Sequence, residues 1–147
     1  MVVVVIVGIA AAAVSVHVFP DRKRALRDDA VRLAQLFSVA QGEVRADGRP
    51  ITWQADDGGY RFVRRMRALT PGAALARGAS KELDTFGNDE LLRPRAWSDG
   101  PVRVETDPPG APVFTSEWMP APLVVRLQNA DATVAIVRDE AGRYAVQ

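Results

Sequence analysis

No cysteine occurs among the 147 residues, which excludes a disulfide, a thiolate nucleophile, an iron–sulfur cluster and any zinc site built on sulfur. Histidine is nearly as scarce. The single one, His17, stands inside an apolar run, so the rest of the chain has no imidazole for Ser-His-Asp catalysis or for a histidine metal site. An excess of charge of either sign is missing too: 19 Lys and Arg face 18 Asp and Glu, and a net charge of +1 gives no general attraction to a polyanion. No G-x-x-x-x-G-K-[ST] loop is present to cradle a phosphate. The expectation is a chain with no cofactor, no metal, no small-molecule substrate and no nucleic-acid partner, held together by packing alone.

What the sequence does have begins with Val2 to Phe19, VVVVIVGIAAAAVSVHVF, which carries no formal charge and is closed by Pro20 and the block Asp21-Arg22-Lys23-Arg24. Read as a helix it covers about 27 Å, slightly less than a bilayer's hydrocarbon core, and it is either a membrane segment or a signal sequence. Ala11-Ala12-Ala13 offers a small-residue cleavage site, but the positively charged start of a secretory signal is absent. Gly8, Ala11 and Ala12, with Val5 one turn earlier, make a small-residue face on which another helix can approach closely, unless they merely fill out an apolar helix. Arg22, Lys23, Arg24 and Arg27 follow the run, and by the positive-inside rule they would put the C-terminal part in the cytoplasm.

From Arg22 onward, Leu26, Ala30, Leu33, Phe37, Ala40 and Val44 recur at steps of four and three, one face of an amphipathic helix over about 21–45. Gly42 and Asp47-Gly48 place its end between Gln41 and Arg45. Residues 49–147 read as β-rich. Ile51 to Ala55 and Tyr60 to Val63 flank Asp56-Asp57-Gly58-Gly59 as a hairpin, and Arg64 to Asn88 reads as a long loop with a short helical turn around Ala73 to Ala76. Val102 to Glu105 alternates, Asp107 to Gly110 turns, and Pro112 to Phe114 starts an extended piece. Leu123 to Leu127, Thr133 to Val137 and Arg143 to Val146 form a closing antiparallel meander. The expected architecture is α+β: residues 1–20 form one apolar helix, and 21–147 one domain in which Leu26, Leu33, Phe37, Ala40 and Val44 pack the helix on a single antiparallel sheet with one dry face.

Few residues point to chemistry. Asp56-Asp57 could start a Ca²⁺ ligand set, but nothing nearby supplies the remaining oxygens, and turn chemistry accounts for the pair. Arg61, Arg64, Arg65 and Arg67 beside Tyr60 and Phe62 mix cations with aromatics as single-strand binders do, yet alternation on a strand divides them between faces, and an exposed solvated edge explains them. Trp53, Trp97 and Trp118 read as core or sheet-face residues, with partner contact as the alternative.

The order of these segments resembles a known family. An apolar helix continuing into an amphipathic one, then Gly48-Arg49-Pro50-Ile51 with Trp53, then Asp57-Gly58-Gly59-Tyr60-Arg61-Phe62, then Leu91-Leu92-Arg93-Pro94-Arg95 and a closing Gly142-Arg143-Tyr144, is similar to the minor pseudopilin H (GspH/FimT) family of bacterial type II secretion. The resemblance implies a pilin-like fold with no catalysis of its own. It also implies a single-pass helix in the bacterial inner membrane and a periplasmic C-terminal domain. The partners would be other pseudopilins and inner-membrane secretion components, in a short pseudopilus that drives folded proteins across the outer membrane. The family's basic leader and G-F-T-L-x-E motif, with its methylated Phe, are not in this sequence, and Met1 reads as an internal methionine taken as the start. Two alternatives stay open. One is a FimT-like minor pilin of a type IV pilus with DNA contact. The other is a membrane-anchored periplasmic enzyme, disfavoured because Glu105, Glu117 and the aspartates show no paired acid–base spacing.

Overall fold

The structure, a computed structural model, describes residues 21–66 and 83–147. The apolar run with Val5, Gly8, Ala11 and Ala12 lies outside them, as do Arg67 and the helical turn expected at Ala73 to Ala76. Among the described residues no helix is long and apolar enough to cross a membrane.

Helix α1 spans Arg22–Asp47. Asp21 caps its start, its carboxylate accepting from the amides of Lys23 (3.1 Å) and Arg24 (3.3 Å), so two of the four orphan donors of the first turn are satisfied. The helix runs past the end expected between Gln41 and Arg45. Gly42, which has open space around it, costs about 1 kcal/mol as a helix interior residue and is outweighed by burial of Val44 one turn beyond the buried Ala40. Termination comes at Gly48, whose φ of 74° is the left-handed conformation that glycine adopts without a Cβ clash; its N–H donates to the Val44 carbonyl at 2.8 Å.

The strands form two antiparallel sheets, not the single sheet expected from the sequence. In the first, β1 (Ile51–Ala55) and β2 (Gly59–Arg65) make the hairpin, in register from Ile51 opposite Arg64 to Ala55 opposite Tyr60. The outer side of β2 is covered at one end by β3 (Leu83–Asp84) and at the other by β4 (Arg95–Ala96). The second sheet starts with β5 (Arg103–Asp107), after which the chain returns to the first as β6 (Val113–Phe114), pairing with Ile51 and Thr52. The meander β7 (Leu123–Gln128), β8 (Thr133–Arg138) and β9 (Tyr144–Val146) completes the second in the order β5-β7-β8-β9. This excursion was illegible as alternation, because β6 is too short to show a period.

One helix covers both sheets, and Phe37 is where they meet. Its ring lies 5.3 Å from Trp53, 6.3 Å from Phe62 and 5.3 Å from Phe114 of the first sheet, and 5.6 Å from Tyr144 of the second. Ala30 and Ala40 on the same face are fully buried and let the backbone approach the strands. Leu26, Leu33, Phe37, Ala40 and Val44 are all buried, the last four completely. The protein is therefore α+β, with an N-terminal helix packed by one face on antiparallel sheets.

Candidate functional site

Three polar side chains are buried among the described residues, Asp29, Gln41 and Arg138, and each holds a loop. A buried polar group is costly unless bonded, so these positions mark where the fold fixes irregular backbone deliberately. Asp29 accepts from the Ser98 amide (2.9 Å) and the Ser98 hydroxyl (2.5 Å), with Arg32 at 3.8 Å one turn on, and so clamps the segment after β4 to the helix. Next to it, Arg22 pairs with Asp99 (3.5 Å), and the Asn129 amide donates to the Arg22 carbonyl (3.0 Å), tying the first turn of α1 to the β7–β8 turn as well.

The other two buried polar groups act on a single loop, Thr115 to Ala121. Gln41 Nε2 donates to the Thr115 carbonyl at 2.6 Å. Arg138 donates through Nε (3.0 Å) and Nη2 (2.6 Å) to the Ala121 carbonyl, and through Nη1 to the Tyr144 hydroxyl (3.4 Å). Pro120 is buried, 3.4 Å from where a Cβ on Gly142 would stand. At the apex Trp118 is 92% exposed and Met119 72%. Of the three tryptophans, Trp53 and Trp97 are buried, whereas Trp118 is neither core nor sheet face. No sequence signal separates it from the other two, because its position depends on two anchors far away in the chain.

The arginine group also needs correcting. Arg64 is not a solvated edge residue: it pairs with Asp47 of α1 (3.0 Å) and Asp84 of β3 (3.1 Å), its guanidinium 4.6 Å from the Phe86 ring centroid. Arg61 donates to Gln54 Oε1 at 2.9 Å. Arg65 is exposed. The Arg49 amide donates to Asp47, which holds that carboxyl below its usual range, and the guanidinia of Arg49 and Arg64 add to the effect. Asp56 accepts from the amides of Gly58 and Gly59, both at 2.9 Å, which is turn chemistry; Asp57 accepts at its carbonyl from the Val102 amide.

Burial raises the Tyr60 phenol, against the opposing pull of Arg95; burial likewise raises Tyr144, against the Arg138 hydrogen bond. Two open clefts flank the hairpin. One, of about 570 Å³, is lined by Asp57, Arg103 and Gln128; the other, of about 520 Å³, by Gln54, Arg61 and Arg95. Neither lining pairs a nucleophile with a base, and among the described residues no three acidic or histidine side chains gather in metal-ligating geometry. The arrangement is an amphipathic helix locked to two sheets, with its flanking loops held by buried polar side chains. No family model matches the chain, and neither does any curated protein or solved structure.

Proposed function

We propose that the chain is a structural minor pseudopilin of a bacterial type II secretion system, pilin-like in fold and without catalysis of its own. The observation that carries the reading is the helix-on-sheet core. An amphipathic helix follows directly on an uncharged apolar run, and its buried face from Leu26 to Val44 is covered by antiparallel strands. The first twenty residues serve as the inner-membrane and filament-core helix, the rest as the periplasmic domain, and the partners are other pseudopilins and inner-membrane secretion components. The ordered segments Gly48 to Ile51, Asp57 to Phe62 and Leu91 to Arg95 support the same assignment.

A pilus subunit touching DNA has less support. Arg64 is committed to Asp47 and Asp84, and Arg61 to Gln54, so half of the arginines that reading needs are engaged within the fold. The test is deletion of the gene in its host. Folded proteins destined for the medium then accumulate in the periplasm, and the full-length gene restores their export. Export undiminished by the deletion contradicts the proposal.

A further inference from the structure

Glycine follows aspartate at three places in the sequence, Asp47-Gly48, Asp57-Gly58 and Asp99-Gly100. Such a step can close on itself, because a residue without a Cβ leaves its amide nitrogen open to the preceding side-chain carboxyl, and an intramolecular attack needs no encounter. The fold restrains two of the three. The Asp47 carboxylate is held by the Arg49 amide (2.8 Å) and by the guanidinia of Arg49 (2.7 Å) and Arg64 (3.0 Å), while the Gly48 amide is bound to the Val44 carbonyl (2.8 Å). Asp99 has its Oδ2 buried, with the Arg22 guanidinium at 3.5 Å. Asp57 is exposed, and its carboxylate makes no hydrogen bond or ion pair among the described residues.

The tip of the β1–β2 hairpin supplies a base as well. The Gly58 amide donates to Asp56 Oδ1 at 2.9 Å, within the reach that general-base transfer requires, so the proton that must leave the nitrogen already faces a carboxylate. The Gly59 amide donates to the same oxygen, also at 2.9 Å, which keeps that carboxylate aimed at the turn. Apart from Asp56 Oδ1 at 3.4 Å, nothing stands within 4 Å of the place where a Cβ on Gly58 would be, so the nitrogen is uncrowded. Nucleophile, base and a mobile carboxyl therefore meet in three consecutive residues, and at neither of the other two steps does the glycine amide face a carboxylate among the described residues.

We propose that Asp57 is a self-modification site: in the folded chain the Asp57-Gly58 step isomerises to isoaspartate, with Asp56 as the base. The Gly58 nitrogen bonds to Asp57 Cγ and gives its proton to Asp56; the hydroxyl of the protonated Asp57 carboxyl takes that proton and leaves as water, which closes a succinimide and returns Asp56 unchanged. Water then opens the ring. Attack at Cγ regenerates aspartate, and attack at the former main-chain carbonyl gives isoaspartate of the same mass. The product lengthens the main chain by one atom and turns the Asp57 carbonyl into a free carboxylate. That carbonyl receives the Val102 amide (3.1 Å), between the Asp56 carbonyl, which receives the Trp97 indole N–H (2.9 Å), and the Gly58 carbonyl, which receives the Trp97 amide (3.2 Å). These bonds tie the segment leading from β4 of the first sheet to β5 of the second onto the hairpin, so the join between the sheets loosens as the protein ages. The proposal does not rest on the pseudopilin reading.

The test incubates the full-length chain in mild detergent at neutral pH, once folded and once in denaturant, and reads isoaspartate at each of the three steps by electron-transfer fragmentation of its peptides. In the folded chain isoaspartate at 57 should exceed that at 47 and at 99 by at least about tenfold, and unfolding should lower the rate at 57 while raising it at the other two. Asp56→Asn keeps an acceptor for the two glycine amides but removes the base, and should slow the reaction at 57 by at least about fivefold in chain that resists protease as the parent does. The comparison of folded with unfolded chain stands without the variant. Equal amounts at the three steps of the folded chain, faster reaction at 57 in denaturant than in the folded state, or a rate at 57 indifferent to Asp56→Asn would each overturn the inference.

Discussion

Phe37 and Trp53 stand nearly perpendicular, their ring planes at 83° and centroids 5.3 Å apart, and this pair joins the helix to the first sheet. Because Phe37 also meets Phe62, Phe114 and Tyr144, its removal leaves a cavity that no single element can collapse into. Phe37→Ala is expected to cost about 3–5 kcal/mol, read from denaturant unfolding of the full chain in mild detergent. Leu33→Asp, which buries an unpaired charge on the same face, should cost as much or abolish folding. A loss below about 1 kcal/mol from Phe37→Ala would contradict the packing described.

The Asp29–Ser98 contact gives a second prediction. Asp29→Ala removes an acceptor serving two donors and leaves the Ser98 amide and hydroxyl to find others, a loss of about 2–3 kcal/mol. Ser98→Ala keeps the amide bond and should cost about 1 kcal/mol. The double variant should be no worse than Asp29→Ala, a non-additivity that a double-mutant cycle measures.

Acid stability should depend on Asp47. Its folded-state carboxyl lies below the unfolded value, so its contribution is present above about pH 4 and is lost as the pH falls through the folded value. Asp47→Asn should therefore flatten the fall of stability on the acid side and lower stability at neutral pH, where Arg49 loses its charged partner and Arg64 keeps only Asp84. A variant with the acid slope of the parent chain would contradict this.

The two tyrosines give the alkaline counterpart. Burial raises both phenols above their usual value near 10, so their contribution is complete below that value and is lost as the pH rises through the folded ones. Tyrosinate absorbance should show no tyrosine titrating normally in the folded chain, and both doing so in denaturant.

Gly59 must remain glycine for a reason of space. A Cβ there would fall 2.3 Å from the Arg95 carbonyl oxygen, inside the pairing of β2 with β4. Gly59→Ala is expected to cost about 2–4 kcal/mol and to expose Trp97, whose indole N–H donates to the Asp56 carbonyl in the hairpin turn. Fluorescence of Trp97 shifting to the red at low denaturant would show it.

The helix and its buried face were legible because Leu26 to Val44 keep a period of three and four, while its end was placed too early because Gly42 reads as a breaker yet lies inside the helix. The hairpin was legible because Asp56 to Gly59 concentrates turn formers between two β-rich runs, and the closing meander for the same reason. The division into two sheets was not, since it depends on the two-residue strand β6 returning to β1, a tertiary pairing without local pattern. The braced loop was hidden for the same cause: Gln41 and Thr115 are 74 residues apart, and nothing in either neighbourhood announces the other. Arg64 read as an exposed strand residue until Asp47 and Asp84 were brought to it by the fold.

The filament-subunit assignment is tested most directly by cross-linking. The sequence has no cysteine, so a single one introduced at Ala11 reports on that position alone. In the host, with a second cysteine in the apolar segment of another pseudopilin, mild oxidation should yield a disulfide-linked pair in the membrane fraction, with the domain open to protease from the periplasmic side and the pair lost when the secretion genes are removed. A chain that stays unlinked while those genes are expressed, or whose domain is shielded from periplasmic protease, would contradict the account.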